Sequence, residues 1–198
     1  MQILLATTNN GKVRELKEML GEGFEIFCLK DFPQITPAAE DGTTFAENAL
    51  KKATHAAQFA QMWTLADDSG LAVDILDGAP GIYSARFAGE DSNDNANNAK
   101  LLHLLQDVPQ EKRTARFISA VAVVSPNGET KIFEGTCEGR ILFNAEGSEG
   151  FGYDPLFYSD DLQKSFGTAS FAEKNAVSHR SRAMEQACAY LKTKINFK

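Results

Sequence analysis

Cysteine is scarce in this chain, three residues in 198, at positions 28, 137 and 188. That is too few, and too scattered, for a disulfide framework or a zinc knuckle, so buried reduced thiols in a cytoplasmic protein are the expectation. No apolar run approaches the roughly 20 residues that a membrane span requires. Ile3-Leu4-Leu5-Ala6 passes straight into polar residues with no basic stretch before it, unlike a signal peptide. Net charge is −7 and no lysine- or arginine-rich block interrupts it, which argues against a nucleic acid polymer as partner. A small anion stays possible, because a few convergent cations can make a positive pocket on an acidic protein. Gly-x-Ser-x-Gly, a cysteine with a neighbouring histidine and a dinucleotide fingerprint are all missing, so covalent catalysis is not indicated. Nor does any His/Cys cluster suggest a soft metal.

What is present over residues 1–198 suits one sizeable domain or two closely packed lobes: 43% of the residues are hydrophobic and 24% charged. Ile3–Ala6 reads as a buried strand, Val13–Leu20 as an amphipathic helix and Phe24–Cys28 as a second strand, a βαβ opening. Residues 32–42 hold two prolines and a glycine and read as a loop. Thr44 and Glu47 have capping-box spacing before an alanine-rich helix, on which Thr44, Asn48 and Lys52 form one polar stripe. Thr64-Leu65-Ala66 is a strand expected to end at Asp67-Asp68-Ser69-Gly70, the glycine making a turn. Gly78-Ala79-Pro80-Gly81 is a rigid turn, and Asp91–Leu105 is helical in its later part. Ala115–Val124 is a central-strand candidate, and Pro126-Asn127-Gly128-Glu129 turns it into a strand over Thr130–Cys137. A further strand is predicted over Gly139–Phe143, then a glycine-rich loop over Gly147–Asp154. Asn175 or Ser178 opens the last helix, through about Leu191. The class is mixed α/β.

Five groups carry the chemistry. Thr7-Thr8-Asn9-Asn10-Gly11-Lys12 joins a strand to a helix, a geometry that offers backbone N–H groups to phosphate, although an ordinary βα turn looks the same. Asp67 and Asp68, with Glu40 and Asp41, are hard oxygen donors of the kind magnesium accepts, against a plain account as a capped, solvated turn. Lys12, Lys52 and Lys174 come from three distant segments. One cation about 4 Å from a phosphate oxygen contributes roughly 4 kcal/mol at an effective dielectric of 20, so two or three would be needed for a triphosphate. Ser178 is a helix cap, after which His179 and Arg180 project from the first turn as donors for a base carbonyl or a phosphate. Phe151-Gly152-Tyr153-Asp154-Pro155 sets aromatic rings beside a carboxylate, either to stack on a purine or as core packing around a turn. His55 and His103 read as incidental helix-surface residues.

Taken together, six stretches resemble the inosine triphosphate pyrophosphatase family, its bacterial XTP/dITP diphosphatase branch most closely. They are Leu5–Lys12, Thr44–Ala49, Ala66–Leu71, Gly78–Arg86, Gly150–Pro155 and Glu173–Arg180, in order along the chain. The resemblance implies an elongated α/β, mixed-sheet fold of two lobes around a central cleft, usually as a homodimer. It further implies Mg²⁺-dependent hydrolysis of nonstandard purine triphosphates to monophosphate and pyrophosphate. Carried over by position, Thr7, Thr8, Asn9, Asn10, Gly11 and Lys12 would embrace the triphosphate, and Asp68 would be general base and metal ligand, with Glu40 a second ligand. Ser69, Lys52 and Lys174 would contact phosphate or sugar. Phe151, Gly152, Tyr153, Asp154, His179 and Arg180 would form the base pocket. One departure is the loop Asn144–Glu149, where the family often carries an arginine.

Overall fold

The computed structural model describes residues 1–89 and 93–195. It holds seven strands, β1 (Gln2–Leu5), β2 (Glu25–Cys28), β3 (Trp63–Val73), β4 (Thr114–Val124), β5 (Thr130–Ile141), β6 (Phe157–Ser159) and β7 (Lys164–Ser165). Five α-helices accompany them among the described residues, α1 (Asn10–Leu20), α2 (Phe45–Ala60), α3 (Asp94–Leu104), α4 (Phe171–Val177) and α5 (His179–Ile195). The strands form one sheet in the order β2-β1-β3-β4-β5-β6-β7. β1 runs parallel to β2 and β3, while β5, β6 and β7 are antiparallel, so the sheet is mixed, as the element order predicts. No helix among the described residues is long and apolar enough to cross a membrane.

Two compact units emerge: Met1–Asp68 with Ser119–Glu134 and Arg182–Lys198, and Ser69–Ile118 with Gly135–Ser181. In the first unit the strands sort their side chains by pleat, because successive residues of a strand point to opposite faces. Ile3, Leu5, Leu65, Val121 and Val123 pack with Leu16 and Leu20 of α1 and Leu191 of α5. Ala66, Ala120, Ala122 and Val124, of the other parity, pack on Ala49 and Ala53 of α2, and Leu4 meets Ala56. Alanine on both sides lets α2 lie close to the sheet. The second unit closes over Phe117, Phe157 and Phe166, mutually stacked or tilted at 4.7–6.0 Å between ring centroids.

Four expectations need correction. α1 starts at Asn10 and not at Val13, because the Asn9 carboxamide caps it, accepting from the N–H groups of Gly11 and Lys12. The acidic tetrapeptide does not end a strand: β3 runs through Asp67-Asp68-Ser69-Gly70 to Val73. Gly70 makes no turn there, since cross-strand pairing continues beyond it and the Leu71 N–H is taken by Ser84 Oγ at 2.9 Å. Thr130–Ile141 is one strand where two were predicted, because Gly139 stays extended to pair with Ser159 of β6. α4 was missed, although Ser170 and Glu173 form a reciprocal capping box at its start. The Asn-Gly hairpin forms as predicted, with Gly128 at φ +84°. Thr44 caps α2, but Glu47 bonds the N–H and hydroxyl of Thr43, one residue earlier than a standard box. Of the predicted Asp91–Leu105 segment, Asp91 and Ser92 lie outside the described residues, and Asn93 caps the helix that follows.

Candidate active site

In the first unit the pleat of β3 gives its two aspartates different partners. Asp67 shares the face of Leu65, and its two carboxylate oxygens accept from Lys12 Nζ of α1 at 2.8 and 2.7 Å. Asp68 shares the face of Ala66 and meets α2: Lys52 Nζ donates to Oδ1 at 2.7 Å and Asn48 Nδ2 to Oδ2 at 3.3 Å. Asn48 is held in turn by the Gly42 N–H, which donates to its Oδ1 at 2.8 Å. Lys52 also reaches Glu40 Oε1 at 3.0 Å, so one ammonium stands between two carboxylates. The polar stripe on α2 therefore meets Asp68 through Asn48 and Lys52, whereas Thr44 caps the helix.

Burial pushes the Asp68 carboxyl above its ordinary value, with Lys52 pulling the other way. Burial pulls the Lys52 ammonium down, but Asp68 and Glu40 outweigh it and hold the amine above its usual range. A pocket of about 260 Å³ opens here, lined by Thr7, Thr8, Lys12, Glu40, Lys52 and Asp67 among others. Asn9, Asn10 and Gly11 do not line it. Asn9 is spent on the cap, and Asn10 Oδ1 accepts from Lys30 Nζ at 2.9 Å. His55 is no incidental surface residue: it lines this pocket, and its Nε2 lies 2.9 Å from the Thr36 carbonyl, tying the loop that precedes α2 to that helix.

The second unit contains a cavity of about 150 Å³, the size of one that elsewhere admits benzene. Every second-unit residue predicted for the base pocket lines it, namely Phe151, Gly152, Tyr153, Asp154, His179 and Arg180, together with Ser69 and Lys174. Phe151 is 63% exposed and offers its ring, with Lys174 Nζ 4.8 Å from the centroid. His179 is buried and stacked on Phe117 at 4.8 Å, 11° from parallel. Arg180 Nη2 donates to Ser69 Oγ at 3.3 Å.

Asp154 behaves otherwise than a base acceptor would. It is buried, and its Oδ2 already accepts from the Phe151 N–H and from Lys174 Nζ, so it shapes the loop from behind. Gly150 makes that possible: at φ +77°, a Cβ there would stand 2.1 Å from Asp154 Oδ2.

Sequence reasoning missed Asn48 as a partner of Asp68, Asp67 as the anchor of Lys12, and Phe117 beneath His179. The four-residue spacing from Thr44 to Lys52 contained the first. Phe117 is the one aromatic residue of the apolar run Ala115–Val124, but nothing in that run points to His179 as its partner.

Residues 3–190 match the Ham1 family. The dITP/XTP pyrophosphatase of Desulforamulus reducens is 52% identical over 192 residues, 96% of each chain. That of Geobacter sulfurreducens is 50% identical over 184 residues, 92% of each. Among solved structures, the Ham1 protein of Staphylococcus aureus superposes with a TM-score of 0.92 at 38% identity, over 98% of this chain and 100% of that one. The nucleoside-triphosphatase / dITP/XTP pyrophosphatase of Mycobacterium abscessus gives 0.82 at 42% identity, over 94% and 98%. With the match extending over nearly its whole length, this chain belongs to the Ham1 family.

Proposed function

We propose that this chain, acting as one pyrophosphatase domain, hydrolyses nonstandard purine nucleoside triphosphates (ITP, dITP and XTP) to the monophosphate and pyrophosphate. Relatives about half identical carry the name dITP/XTP pyrophosphatase. The observation that carries the chemistry is Lys52 standing between Glu40 and Asp68, with Lys12 anchored nearby in the same pocket by Asp67.

The donor set fits Mg²⁺. Glu40 and Asp68 already converge on one cationic point, at 3.0 and 2.7 Å from Lys52 Nζ. Two carboxylates are what magnesium takes from a protein when water and substrate phosphates fill its other positions. No cluster of three or more His, Cys, Asp or Glu occurs among the described residues to make an all-protein cage. Glu40 and Asp68 would hold the ion, which when bound neutralises oxygens of the triphosphate.

Asp68 accepts a hydrogen bond from a water and orients it at the α-phosphorus. As the new P–O bond forms, Asp68 takes the water's proton, and the bond to the bridging oxygen breaks with its electron pair leaving on pyrophosphate. A carboxylate raised by burial is better matched to that proton than an exposed one. Lys12 and Lys52 stabilise the charge that develops on the leaving group.

In the second unit, Phe151 stacks on the base, and His179 and Arg180 donate to a 6-oxo group. Adenine presents an amino donor there instead, and mispairing buried donors costs about 1–3 kcal/mol per group. The buried free thiols and acidic composition suit a cytoplasmic enzyme, and the family resemblance favours a homodimer, which light scattering after gel filtration would test.

The deciding assay incubates the protein with ITP, dITP, XTP, GTP or ATP and Mg²⁺ and identifies the products. Pyrophosphate from ITP, dITP and XTP, with little from ATP, is the expected result. Orthophosphate in place of pyrophosphate, or ITP bound and left intact, would overturn the reading.

A further inference from the structure

The base-pocket loop of the second unit is held by a helix to which no role has been assigned. Asp94 and Asn98 lie one turn apart on α3, so their side chains share a face. Asp94 Oδ2 accepts from the Gly152 N–H at 2.7 Å, and Asn98 Nδ2 donates to the Gly152 carbonyl at 2.9 Å. Two side chains thus grip the donor and the acceptor of a single glycine. Gly152 sits at φ +60° between Phe151, the exposed ring of the pocket, and Tyr153, which lies in its wall. A glycine at such a φ has several backbone states to choose from, and fixing its two polar groups selects one.

Neighbouring contacts carry the same constraint. Asn97, next on the helix, bonds the Ala88 N–H and the carbonyls of Ser84 and Ala85. The Tyr153 hydroxyl donates to that same Ser84 carbonyl at 2.8 Å. Burial, reinforced by the Asp94 charge, pushes the Tyr153 phenol above its ordinary value, so it remains a donor at working pH. The orientation of Asn98 is determined as well: reversing the amide would set its oxygen against the Gly152 carbonyl.

We propose that Asp94 and Asn98 are positioning residues for purine selectivity: by fixing the Gly152 peptide they set the plane of the Phe151 ring on which the base stacks. This rests on the base-pocket assignment made above. The consequence is a separation of parameters. The phosphate chemistry belongs to residues of the first unit, so loosening Gly152 changes how well a base is held and discriminated more than how fast the bound triphosphate is cut.

The test compares Asp94→Ala, Asp94→Asn and Asn98→Asp with the parent protein on ITP and GTP, alongside thermal melting. Asp94→Ala should raise KM for ITP about tenfold, the loss of one hydrogen bond, with kcat changing far less and the ITP-to-GTP preference shrinking. Asp94→Asn keeps an acceptor for the Gly152 N–H and should restore most of that loss. Asn98→Asp, which turns an acceptor against the carbonyl, should be at least as damaging as Asp94→Ala. Unchanged KM and selectivity in Asp94→Ala, or loss in kcat alone, would overturn the proposal, as would a melting loss with base preference intact. If the parent protein itself released no pyrophosphate from ITP, the functional reading would have failed instead.

Discussion

Replacing Asp67 and Asp68 singly by asparagine should separate two roles that sit one residue apart. The Asp67 side chain is only 3% exposed and takes two bonds from Lys12, whose own side chain is 23% exposed. Removing one partner of a fully buried pair costs about 3–5 kcal/mol, and an exposed pair is worth about 0–1. Lys12 can turn partly to water, so Asp67→Asn should lose about 2 kcal/mol. At roughly 2–4 °C per kcal/mol for a chain of this size, melting should fall by about 4–8 °C. Lys12 is also set adrift, so KM for the triphosphate should rise.

Asp68→Asn should behave in the opposite way. Lys52 keeps Glu40 at 3.0 Å, and the amide escapes the burial that disfavours the Asp68 charge. Stability should therefore change by no more than about 1 kcal/mol. Turnover loses its proton acceptor and should drop by about 10²–10⁴, equivalent to about 3–5 kcal/mol of barrier. Scanning calorimetry and pyrophosphate release, run on the same preparations, give the two axes. If the variants lose kcat equally with equal melting temperatures, the assignment of separate roles is wrong.

Hydrogen bonds from Lys164 and from the Ser170 N–H and hydroxyl bring Glu173 down to about 2 from 4.5. A folded value below the unfolded one stabilises α4 fully above about pH 4.5 and is lost as pH falls toward 2; amide exchange in α4 should accelerate over that window, and Glu173→Gln should abolish the pH dependence. Gly150→Ala should cost at least about 1–2 kcal/mol for a side chain at positive φ, displace Asp154 and raise KM for ITP; unchanged melting and KM would refute the account of the loop. Cys28, Cys137 and Cys188 are all buried, and burial pushes the Cys188 thiol up to about 11. A thiol-specific disulfide reagent at pH 8 should therefore label the chain fully only in denaturant, and rapid stoichiometric labelling of the native protein would contradict this packing.

Much of this protein was legible because local and global signals agree. Thr44 before an alanine-periodic run, and Asn-Gly between two β-rich runs, each form what their sequence prescribes. The misreadings arose where a residue with a strong local habit is overruled by its partners. Asp67-Asp68-Ser69-Gly70 has the composition of a turn, yet Lys12, Lys52 and Asn48, all distant in sequence, satisfy its carboxylates on a strand, and Ser84 takes the Leu71 N–H just beyond it. Asn10-Gly11 reads as loop because glycine is a poor helix former, and one capping carboxamide is enough to start the helix there. Asp154 holds the Phe151 N–H and the Lys174 side chain, and Asn98 holds the Gly152 carbonyl; composition contains no trace of such contacts.

The continuity of β3 has a chemical consequence that a turn could not provide. In a turn, two adjacent carboxylates would share solvent and repel each other. On a pleated strand they are sent to opposite faces, and in the first unit those faces are already distinguished by the hydrophobic pattern. Leu65 faces the side of α1 and Ala66 the side of α2. Extending the alternation by two residues delivers Asp67 to Lys12 of α1 and Asp68 to Lys52 and Asn48 of α2. The register that buries the core therefore also gives one acid to Lys12 and the other to Lys52 and Asn48, where the proposed chemistry needs it. A one-residue slip of β3 would exchange the faces, sending Asp68 toward Lys12 and Asp67 toward Lys52. Core packing and the proposed catalytic acid thus depend on the same register in this strand.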